Sequence, residues 1–273
     1  NPDISSCYSY KLDVSNYFNS IDIDLLLPIL KIIFSDDVAL YRFFESQFSD
    51  KRALDNGNIV TEPKGVMAGM PYAGFFANIF LTPLDREFEN IPDILYCRYS
   101  DDIIIFAKDK ETLDAAKMRL HKFLHKYHLE INSDKEMETP PGQQWTFLGF
   151  ECDGERIDVS KISVQKLKAK MRRKARALEK WRRVKEKDGW MAAKAFIKHF
   201  NRKLYTSKSN SEVNWSWWYF PLITTEKSLR EIDAYMQDCV RYVATGSRTK
   251  SRFNFTYEQM KELGLETLVN RWF

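Results

Sequence analysis

The sequence predicts an α+β protein, in which a body built on an antiparallel sheet is followed by a basic, all-helical module. Short β-rich runs, among them 94–99 and 103–107, alternate with helical stretches in the first part of the chain. Beyond residue 159, apolar residues recur at steps of three or four within a basic background, which is typical of amphipathic helices. The 273 residues suffice for one large domain or two small ones. We therefore expect two domains, at 1–158 and 159–273.

The elements of the first part have local signals. Asp22 or Asp24 precedes an apolar helical run and can cap its first turn. Asn56-Gly57 predicts a tight turn before a short strand, because both residues tolerate a positive φ. In order, the predicted elements are a strand from residue 10 that enters a turn, helices at 21–34 and 36–48, a strand at 59–61, a glycine-punctuated stretch at 65–74, a helix at 75–88, a hairpin at 94–107, a helix at 110–127, and strands at 129–132 and 145–152.

The second part predicts helices alone. Gly246 and Gly264 follow two of them, and glycine is the residue that most often closes a helix in the left-handed conformation. The expected helices are one that carries an apolar stripe from Ile162 to Trp181, then 190–205, 229–243 and 257–263.

The charge of the chain is unevenly distributed. The net charge is +4, yet residues 161–208 hold 18 lysines and arginines against three acids, a net +15, so the rest of the chain carries −11. A solvated helix face explains most charge runs. Here the excess is nearly all of one sign, which favours a polyanion as the partner of the basic part.

Several protein classes are excluded by composition. The most apolar early run, 25–34, is interrupted by Pro28 and Lys31 and is too short to span a bilayer. The N-terminus lacks the basic and apolar regions of a signal peptide. The four cysteines are scattered without a C-x-x-C pair, which favours free thiols in a reducing compartment. We expect a soluble, cytoplasmic protein with no membrane partner.

The sharpest chemical signal is a pair of adjacent acids, Asp101 and Asp102, at the tip of a predicted hairpin. The β-branched and aromatic flanks of CRYSDDIIIFA indicate a rigid edge rather than an ordinary polar turn. Asp13 ends another predicted strand. Acids at neighbouring strand ends can converge on two Mg²⁺ ions about 3.5–4 Å apart, the arrangement used in nucleotidyl transfer. Oxygen ligands suit Mg²⁺ better than zinc.

Five segments carry a resemblance to a known family. In order they are KLDVSNYFNSI, GVMAGMPYAGFFANIFLTPLD, CRYSDDIIIFAKD, INSDKE and WTFLGFECDG. Over about residues 8–160, their order and spacing resemble the palm motifs of reverse transcriptases, and Tyr99-Ser100-Asp101-Asp102 resembles the family's Y-x-D-D tetrad. The similarity is greatest to bacterial enzymes, namely group II intron-like, diversity-generating and defence-associated reverse transcriptases. It implies a right-hand polymerase palm followed by a helical thumb.

The resemblance implies roles for the carboxylates and for the residues after Asp13. Asp13 and Asp101 would hold two Mg²⁺ ions, for which Mn²⁺ could substitute, with Asp102 assisting and the Val14 carbonyl as a further ligand. Phe18 matches the aromatic steric gate, which would clash with a ribose 2′-hydroxyl and so favour dNTPs. Without the register of Asp13, a core aromatic would be the better interpretation of Phe18. The residues expected at the dNTP are Ser15, Asn16, Tyr17, Phe18 and Gly69.

Two further segments gain roles from the resemblance. Lys135 falls where the family has a lysine that can protonate the leaving pyrophosphate, although an exposed loop lysine is nearly as good an interpretation. The primer-grip hairpin of the family matches four residues, in which a glycine permits close backbone approach to a primer strand. They are Phe147, Leu148, Gly149 and Phe150.

The basic helices are expected to grip nucleic acid. Cations on the solvent side of amphipathic helices make sequence-independent, salt-sensitive contacts to phosphates. The aromatic residues at 215–220 could stack on bases, but packing between helices is the better interpretation. The candidate nucleic-acid-binding residues are Lys168, Arg172, Arg173, Arg176, Arg182 and Arg183.

Two departures from the family pattern stand out. Met67 and Ala68 replace the usual Pro-Gln before Gly69, which removes a polar side chain near the templating base, so we expect altered fidelity or template use. The chain also opens almost at the Asp13 motif. We therefore expect the fingers region to be largely missing from this sequence, as in a fragment of a longer protein.

The sequence thus predicts an RNA-directed DNA polymerase that adds dNTPs to a primer, in bacterial antiviral defence or a retroelement. The expected partners are an RNA template and primer, a structured non-coding RNA, dNTPs, and an accessory protein or a second copy. The alternative is a non-catalytic, maturase-like RNA-binding scaffold on a polymerase palm. The retained Asp13, Asp101 and Asp102 favour the enzyme, and Phe18 argues against an RNA polymerase.

Overall fold

The computed structural model describes residues 4–49, 52–55, 58–61, 65–66, 71–206 and 214–273, with the backbone alone at 52–55 and 58–61. The chain divides into two compact units, Asn1–Gln143 and Gln144–Phe273. This division falls before residue 158, the predicted end of the first domain. The strands that begin after residue 143 belong to the second unit, because their residues Phe150 and Val159 pack into the core of the helices that follow.

The first unit contains both strands and helices. Its elements are a 3-10 helix (Ile4–Ser6), β1 (Tyr8–Asp13), α1 (Tyr17–Ser20), α2 (Ile23–Ile33), α3 (Val38–Ser49), β2 (Arg52–Asp55), β3 (Asn58–Thr61), α4 (Ala73–Phe80), α5 (Thr82–Glu89), β4 (Ile94–Tyr99), β5 (Asp102–Ala107), α6 (Lys110–Lys126) and β6 (Met137–Thr139).

The main sheet of this unit is antiparallel, with strand order β4–β5–β1–β6. Tyr10 and Leu12 of β1 and Ile103 and Ile105 of β5 are buried in one core with apolar residues of α2, α4 and α6. Alternate residues of a strand share a face, and a slip by one residue would turn these side chains out of the core. Burial therefore fixes the register of β1 against β5.

The second unit joins a small antiparallel sheet, β7–β8–β9, to a set of helices. Helices α7, α8 and α10 pack around a core that includes Met171, Phe196 and Val240. The elements are β7 (Trp145–Phe147), β8 (Phe150–Asp153), β9 (Arg156–Val159), α7 (Lys161–Val184), α8 (Gly189–Tyr205), α9 (Trp215–Tyr219), α10 (Lys227–Thr245), a 3-10 helix (Lys250–Asn254), α11 (Tyr257–Glu262) and α12 (Leu268–Trp272).

The structure confirms the α+β class and several local signals. Asp22 is the N-cap of α2, where its carboxylate accepts a hydrogen bond from the Asp24 amide at 2.9 Å. Gly246, at φ 74°, ends α10. None of the described helices is long and apolar enough to cross a membrane.

Two predicted elements differ from the structure. The helix expected at 75–88 is two helices, α4 and α5, because Pro83 lies in the first turn of α5, where proline favours a new helix start. The strand expected at 129–132 is reduced, in the described part, to one isolated bridge between Val14 and Ile131.

Candidate active site

Two of the predicted carboxylates lie opposite each other on the central strand pair. Asp13 is the last residue of β1, Asp102 is the first residue of β5, and the antiparallel register pairs them directly. Asp13 is 7% exposed and Asp102 is half-buried. Asp101 precedes Asp102 in the turn that joins β4 to β5. The sheet therefore brings the three carboxylates to one end of the β1–β5 pair.

A buried arginine supports the turn that carries Asp101. The side chain of Arg98 is 6% exposed and forms an ion pair with Asp85 of α5, together with an Nε hydrogen bond of 2.7 Å. Its Nη1 donates to the carbonyl oxygen of Ser100 and to Oδ1 of Asn78, each at 3.0 Å. Ser100 has a φ of 58°, which is uncommon outside glycine. Arg98 thus ties an unusual turn to α4 and α5.

Lys135 reaches the same site from the loop after α6. Backbone bonds place this loop: the Asn132 amide donates to the Asp13 carbonyl at 2.9 Å, and the Lys135 amide donates to the Asn132 carbonyl at 3.0 Å. The Lys135 ammonium donates to Oδ2 of Asp13 at 2.7 Å. This hydrogen bond raises the pKa of Lys135, although burial acts in the opposite direction. The ammonium is therefore charged at neutral pH.

The three carboxylates concentrate negative charge. Burial raises the pKa of Asp102, and the charges of Asp13 and Asp101 raise it further. A divalent cation would relieve this repulsion, and carboxylate oxygens are ligands that Mg²⁺ prefers. Within the described ranges, no three His, Cys, Asp or Glu side chains form a ready metal site. The donor set still fits Mg²⁺, which commonly binds through one or two carboxylates, substrate phosphates and water.

The segment after Asp13 forms a tight turn and the single-turn helix α1. The Ser15 amide donates to the Glu130 carbonyl at 2.8 Å. Tyr17 is buried, and its hydroxyl donates to the carbonyl oxygen of Ala77. Asn16, with a φ of 46°, is exposed. Of residues 15–17, which are predicted at the dNTP, Asn16 is the exposed one.

The surroundings of Phe18 combine features of a steric gate and of a core aromatic. The ring is half-buried, packs against the core and meets Tyr17 edge to face at a centroid distance of 5.9 Å. Its carbonyl oxygen accepts a hydrogen bond from the Val66 amide at 2.9 Å. Gly69 itself, like Met67 and Ala68, lies outside the described residues.

The predicted primer-grip residues form the β7–β8 hairpin of the second unit. Phe147 pairs with Phe150, so that Leu148 and Gly149 make a two-residue turn with φ values of 50° and 87°, as a type I′ turn requires. A Cβ on Gly149 would lie 2.6 Å from the Tyr219 hydroxyl oxygen. The tip of the hairpin is therefore packed tightly against α9.

The aromatic run at 215–220 serves mainly the core, as expected. Trp215 and Trp218 are partly buried against the helical core, and Tyr219 is buried. Trp217 is 66% exposed.

The six candidate cations of α7 differ in their surroundings. Lys168 pairs with Glu231 at 2.5 Å. Arg182 is half-buried, with a buried Nε that has no hydrogen-bond partner in the described residues. Arg183 lies 3.7 Å from Glu179. The exposed arginines with no carboxylate within 4 Å, in the part of the chain that is described, are Arg172, Arg173 and Arg176.

The pair formed by Arg98 and Asp85 was not predicted from the sequence. One signal was available, because Arg98 stands inside a β-rich, apolar run directly before the tetrad. A buried arginine usually requires an acidic partner. Sequence alone does not tell which of the acids downstream of residue 80 supplies it.

Comparison with known proteins places the chain in a family. Residues 1–152 match the family described as reverse transcriptase (RNA-dependent DNA polymerase). The Retron Ec83 reverse transcriptase of Escherichia coli is 29% identical over 141 residues, which cover 48% of this chain and 43% of that protein. The apo telomerase of Candida tropicalis shares the fold, with a TM-score of 0.54 and 16% identity over 96% of this chain and 44% of that chain. The chain thus spans less than half the length of either relative. It belongs to the reverse transcriptase family.

Proposed function

We propose that the protein is an RNA-directed DNA polymerase that transfers nucleotides from dNTPs to a primer. One observation carries the proposal: in a chain of this family, the strand register pairs Asp13 with Asp102 and sets Asp101 beside them. Paired carboxylates at a sheet end suit phosphoryl chemistry, in which the protein mainly positions the reactants and balances charge.

The carboxylates are the residues that would hold divalent ions. In this proposal Asp13 and Asp101 bind two Mg²⁺ or Mn²⁺ ions, and Asp102 and the Val14 carbonyl add oxygen ligands. Ions bound in this way activate the attacking hydroxyl and neutralise charge on the phosphates. The raised pKa of Asp102, caused by burial and by its two acidic neighbours, supports a site in which negative charge exceeds positive charge.

Lys135 supplies a proton at the same place. In the reaction the primer 3′-hydroxyl loses its proton to water and O3′ bonds to the α-phosphorus. The bond from that phosphorus to the oxygen that bridges to the β-phosphate breaks. The leaving pyrophosphate then needs a proton. Lys135 is protonated and lies 2.7 Å from the Asp13 carboxylate, which supports its role as the general acid.

Phe18 supports deoxyribonucleotides as the substrate. It follows the strand end five residues after Asp13, and it is half-buried and packs against the core. Because the core holds the ring, it cannot turn away easily from a ribose 2′-hydroxyl. We place Ser15, Asn16, Tyr17 and Gly69 around the same nucleotide.

The similarity to a retron reverse transcriptase supports a setting in a bacterial retroelement or antiviral defence. The template would then be RNA, and a structured non-coding RNA would be a partner. We assign the hairpin from Phe147 to Phe150 to the primer strand. The exposed arginines of α7 would contact the phosphates of the duplex.

Primer extension on an RNA template tests the proposal. The full-length protein is supplied with Mg²⁺ and with either dNTPs or NTPs, beside Asp101→Ala. Asp114→Asn is a matched control, because it removes an exposed carboxylate from α6, away from the sheet end. We expect incorporation of dNTPs only, its loss in Asp101→Ala, and normal synthesis by Asp114→Asn.

Two results would contradict parts of this account. If the wild type incorporates no nucleotide while it and Asp101→Ala bind RNA equally well, the protein is an RNA-binding scaffold of the maturase kind. If NTPs are incorporated as well as dNTPs, the gate assigned to Phe18 is wrong, although the polymerase assignment stands.

A further inference from the structure

A concave pocket of about 380 Å³ lies in the second unit, between α7, α10 and the segment that follows α10. Its charged lining consists of four arginines, two from α7 and two from the segment after α10, and one acid, Asp238. The arginines are Arg172, Arg176, Arg248 and Arg252.

Most of this positive charge is not neutralised. Nε of Arg252 lies 3.4 Å from Asp238, and the same carboxylate lies 3.6 Å from Arg241. In the described residues, the other three arginines of the pocket have no carboxylate within 4 Å. A solvated helix face spreads its charges over an open surface, whereas these arginines converge on one concavity. An anion in the pocket would relieve their repulsion.

The segment that carries Arg248 is fixed on its surroundings. Gly246 ends α10 in the left-handed conformation, and a side chain at this position would overlap Arg182 of α7. Nη1 of Arg252 donates to the Arg248 carbonyl oxygen at 3.1 Å. Hydroxyl groups of three residues also bond to one another at 2.7 to 3.0 Å. They are Ser247, Thr249 and Ser251.

Aromatic rings complete the pocket. Tyr235 and Tyr242 line it from α10, and the Arg248 guanidinium lies 5.0 Å from the centre of the Tyr242 ring. Unpaired bases stack on aromatic rings and on guanidinium planes. The volume also falls within the range of about 300–1,000 Å³ typical of small-molecule sites. The chemistry therefore matches a phosphate joined to a flat base.

We propose that this arginine pocket binds one nucleotide of a nucleic-acid strand. The arginines contact its phosphate, and its base packs against the Tyr242–Arg248 pair. Exposed cations along a helix can follow any backbone, but a concave pocket of this volume holds a single nucleotide that has left its stack. The inference rests on the proposed function only in naming nucleic acid as the ligand.

Binding of a short fluorescent RNA to the full-length protein tests the proposal. One arm uses a single-stranded RNA with a 5′-phosphate, a second uses the same RNA with a 5′-hydroxyl, and a third adds AMP as a competitor. Arg248→Ala removes a pocket cation from an exposed position. Lys250→Ala is the matched control, because it removes an exposed cation of the same segment that does not line the pocket.

Arg248→Ala should weaken RNA binding about tenfold, the effect of one lost charge-assisted contact. Lys250→Ala should weaken it less than about threefold, because it removes only a distant charge. A photocrosslink from 4-thiouridine in the RNA should map to the stretch 235–248. Preference for the 5′-phosphate would identify a strand end. Equal binding of both RNAs, together with the crosslink at 235–248, would identify an internal phosphate, and both results support the pocket. Displacement of the RNA by AMP would show that the pocket takes a free nucleotide and would overturn its assignment to a strand.

Equal losses in Arg248→Ala and Lys250→Ala, with crosslinks elsewhere, would overturn the proposal in favour of a diffuse basic face. The outcome is separate from that of the polymerase assignment. If Asp101→Ala abolishes synthesis but the pocket variants bind RNA normally, the pocket is wrong and the polymerase stands. If the pocket binds RNA but no dNTP is incorporated, the pocket stands and the polymerase assignment is wrong.

Discussion

The carboxylates of the first unit and the arginines of the second unit are placed by different means. Asp13 and Asp102 are held at strand ends by a buried register, and Lys135 is bonded to one of them. Arg173 instead projects from one long helix into solvent. Chemistry depends on fixed distances between reacting groups, whereas holding a polyanion requires mainly charge. Substitutions in the first unit should therefore alter rate, and those in the second unit should alter affinity and its salt dependence.

Lys135→Met should give the largest effect among the supporting residues. Loss of a general acid lowers rate by on the order of 10²-fold or more, while RNA affinity should stay unchanged. Single-turnover incorporation, measured beside equilibrium binding, separates the two quantities. Lys135→Arg, which keeps the charge, is the comparison variant. An equal fall in rate and affinity would mean that Lys135 merely contacts nucleic acid.

Arg98→Met tests whether the turn at Ser100 must be held in place. Breaking a buried ion pair costs about 3–5 kcal/mol, and because the Asp85 side chain is 36% exposed we expect about 2 kcal/mol here. The rate should also fall about tenfold, since Asp101 loses its support. Urea unfolding and single-turnover kinetics measure these effects.

A double variant separates positioning from stability. In Arg98→Met with Asp85→Asn, no charge is left unpaired and the Tyr96 hydroxyl, which donates to Oδ1 of Asp85 at 2.9 Å, keeps an acceptor. The unfolding free energy should therefore recover while the rate stays low. Recovery of both quantities would show that Arg98 has only a structural role.

Gly149→Ala tests the packing of the hairpin in the second unit. A left-handed φ costs a non-glycine residue about 1 kcal/mol or more, and overlap with the Tyr219 hydroxyl adds about 1–3 kcal/mol. Gly264→Ala is the matched control, because its φ of 83° is similar and no atom lies within 4 Å of the new methyl group. Equal losses of unfolding free energy in the two variants would contradict the close contact.

Asp22→Ala should have the smallest effect, about 1 kcal/mol of stability from the lost N-cap. Burial alone would raise the pKa of Asp22, but hydrogen bonds from His128 and from the Asp24 amide lower it overall. A lowered pKa means that the folded state favours the carboxylate. The contribution of this carboxylate to the free energy of unfolding is present above its ordinary pKa of about 3.9, and it is lost as the pH falls through the pKa of the folded state. The stability difference between wild type and Asp22→Ala should shrink in acid.

The strand ends and caps were predictable because they depend on local chemistry. Asp13 follows from the alternation of polar and apolar residues in β1, Asp102 from the β-branched run that it begins, and Gly246 from its place after an apolar stripe. The contact of Lys135 with Asp13 was not derivable from residue patterns, since it depends on a loop that folds back onto β1. The same holds for Arg98 and Asp85, whose pairing requires the packing of α5 on β4. Local patterns thus predict elements, while tertiary packing decides which side chains meet.

The role of the sheet-end carboxylates is tested most directly with Asp13→Asn. We would measure the rate at which this variant adds one nucleotide to a primer already bound on an RNA template, together with its affinity for that template–primer. We expect a rate lower by on the order of 10³-fold, equivalent to several kcal/mol of lost transition-state stabilisation. The affinity should stay within about twofold of wild type. A rate that is retained, or a loss that lies entirely in affinity, would contradict the claim that the sheet-end carboxylates carry the chemistry.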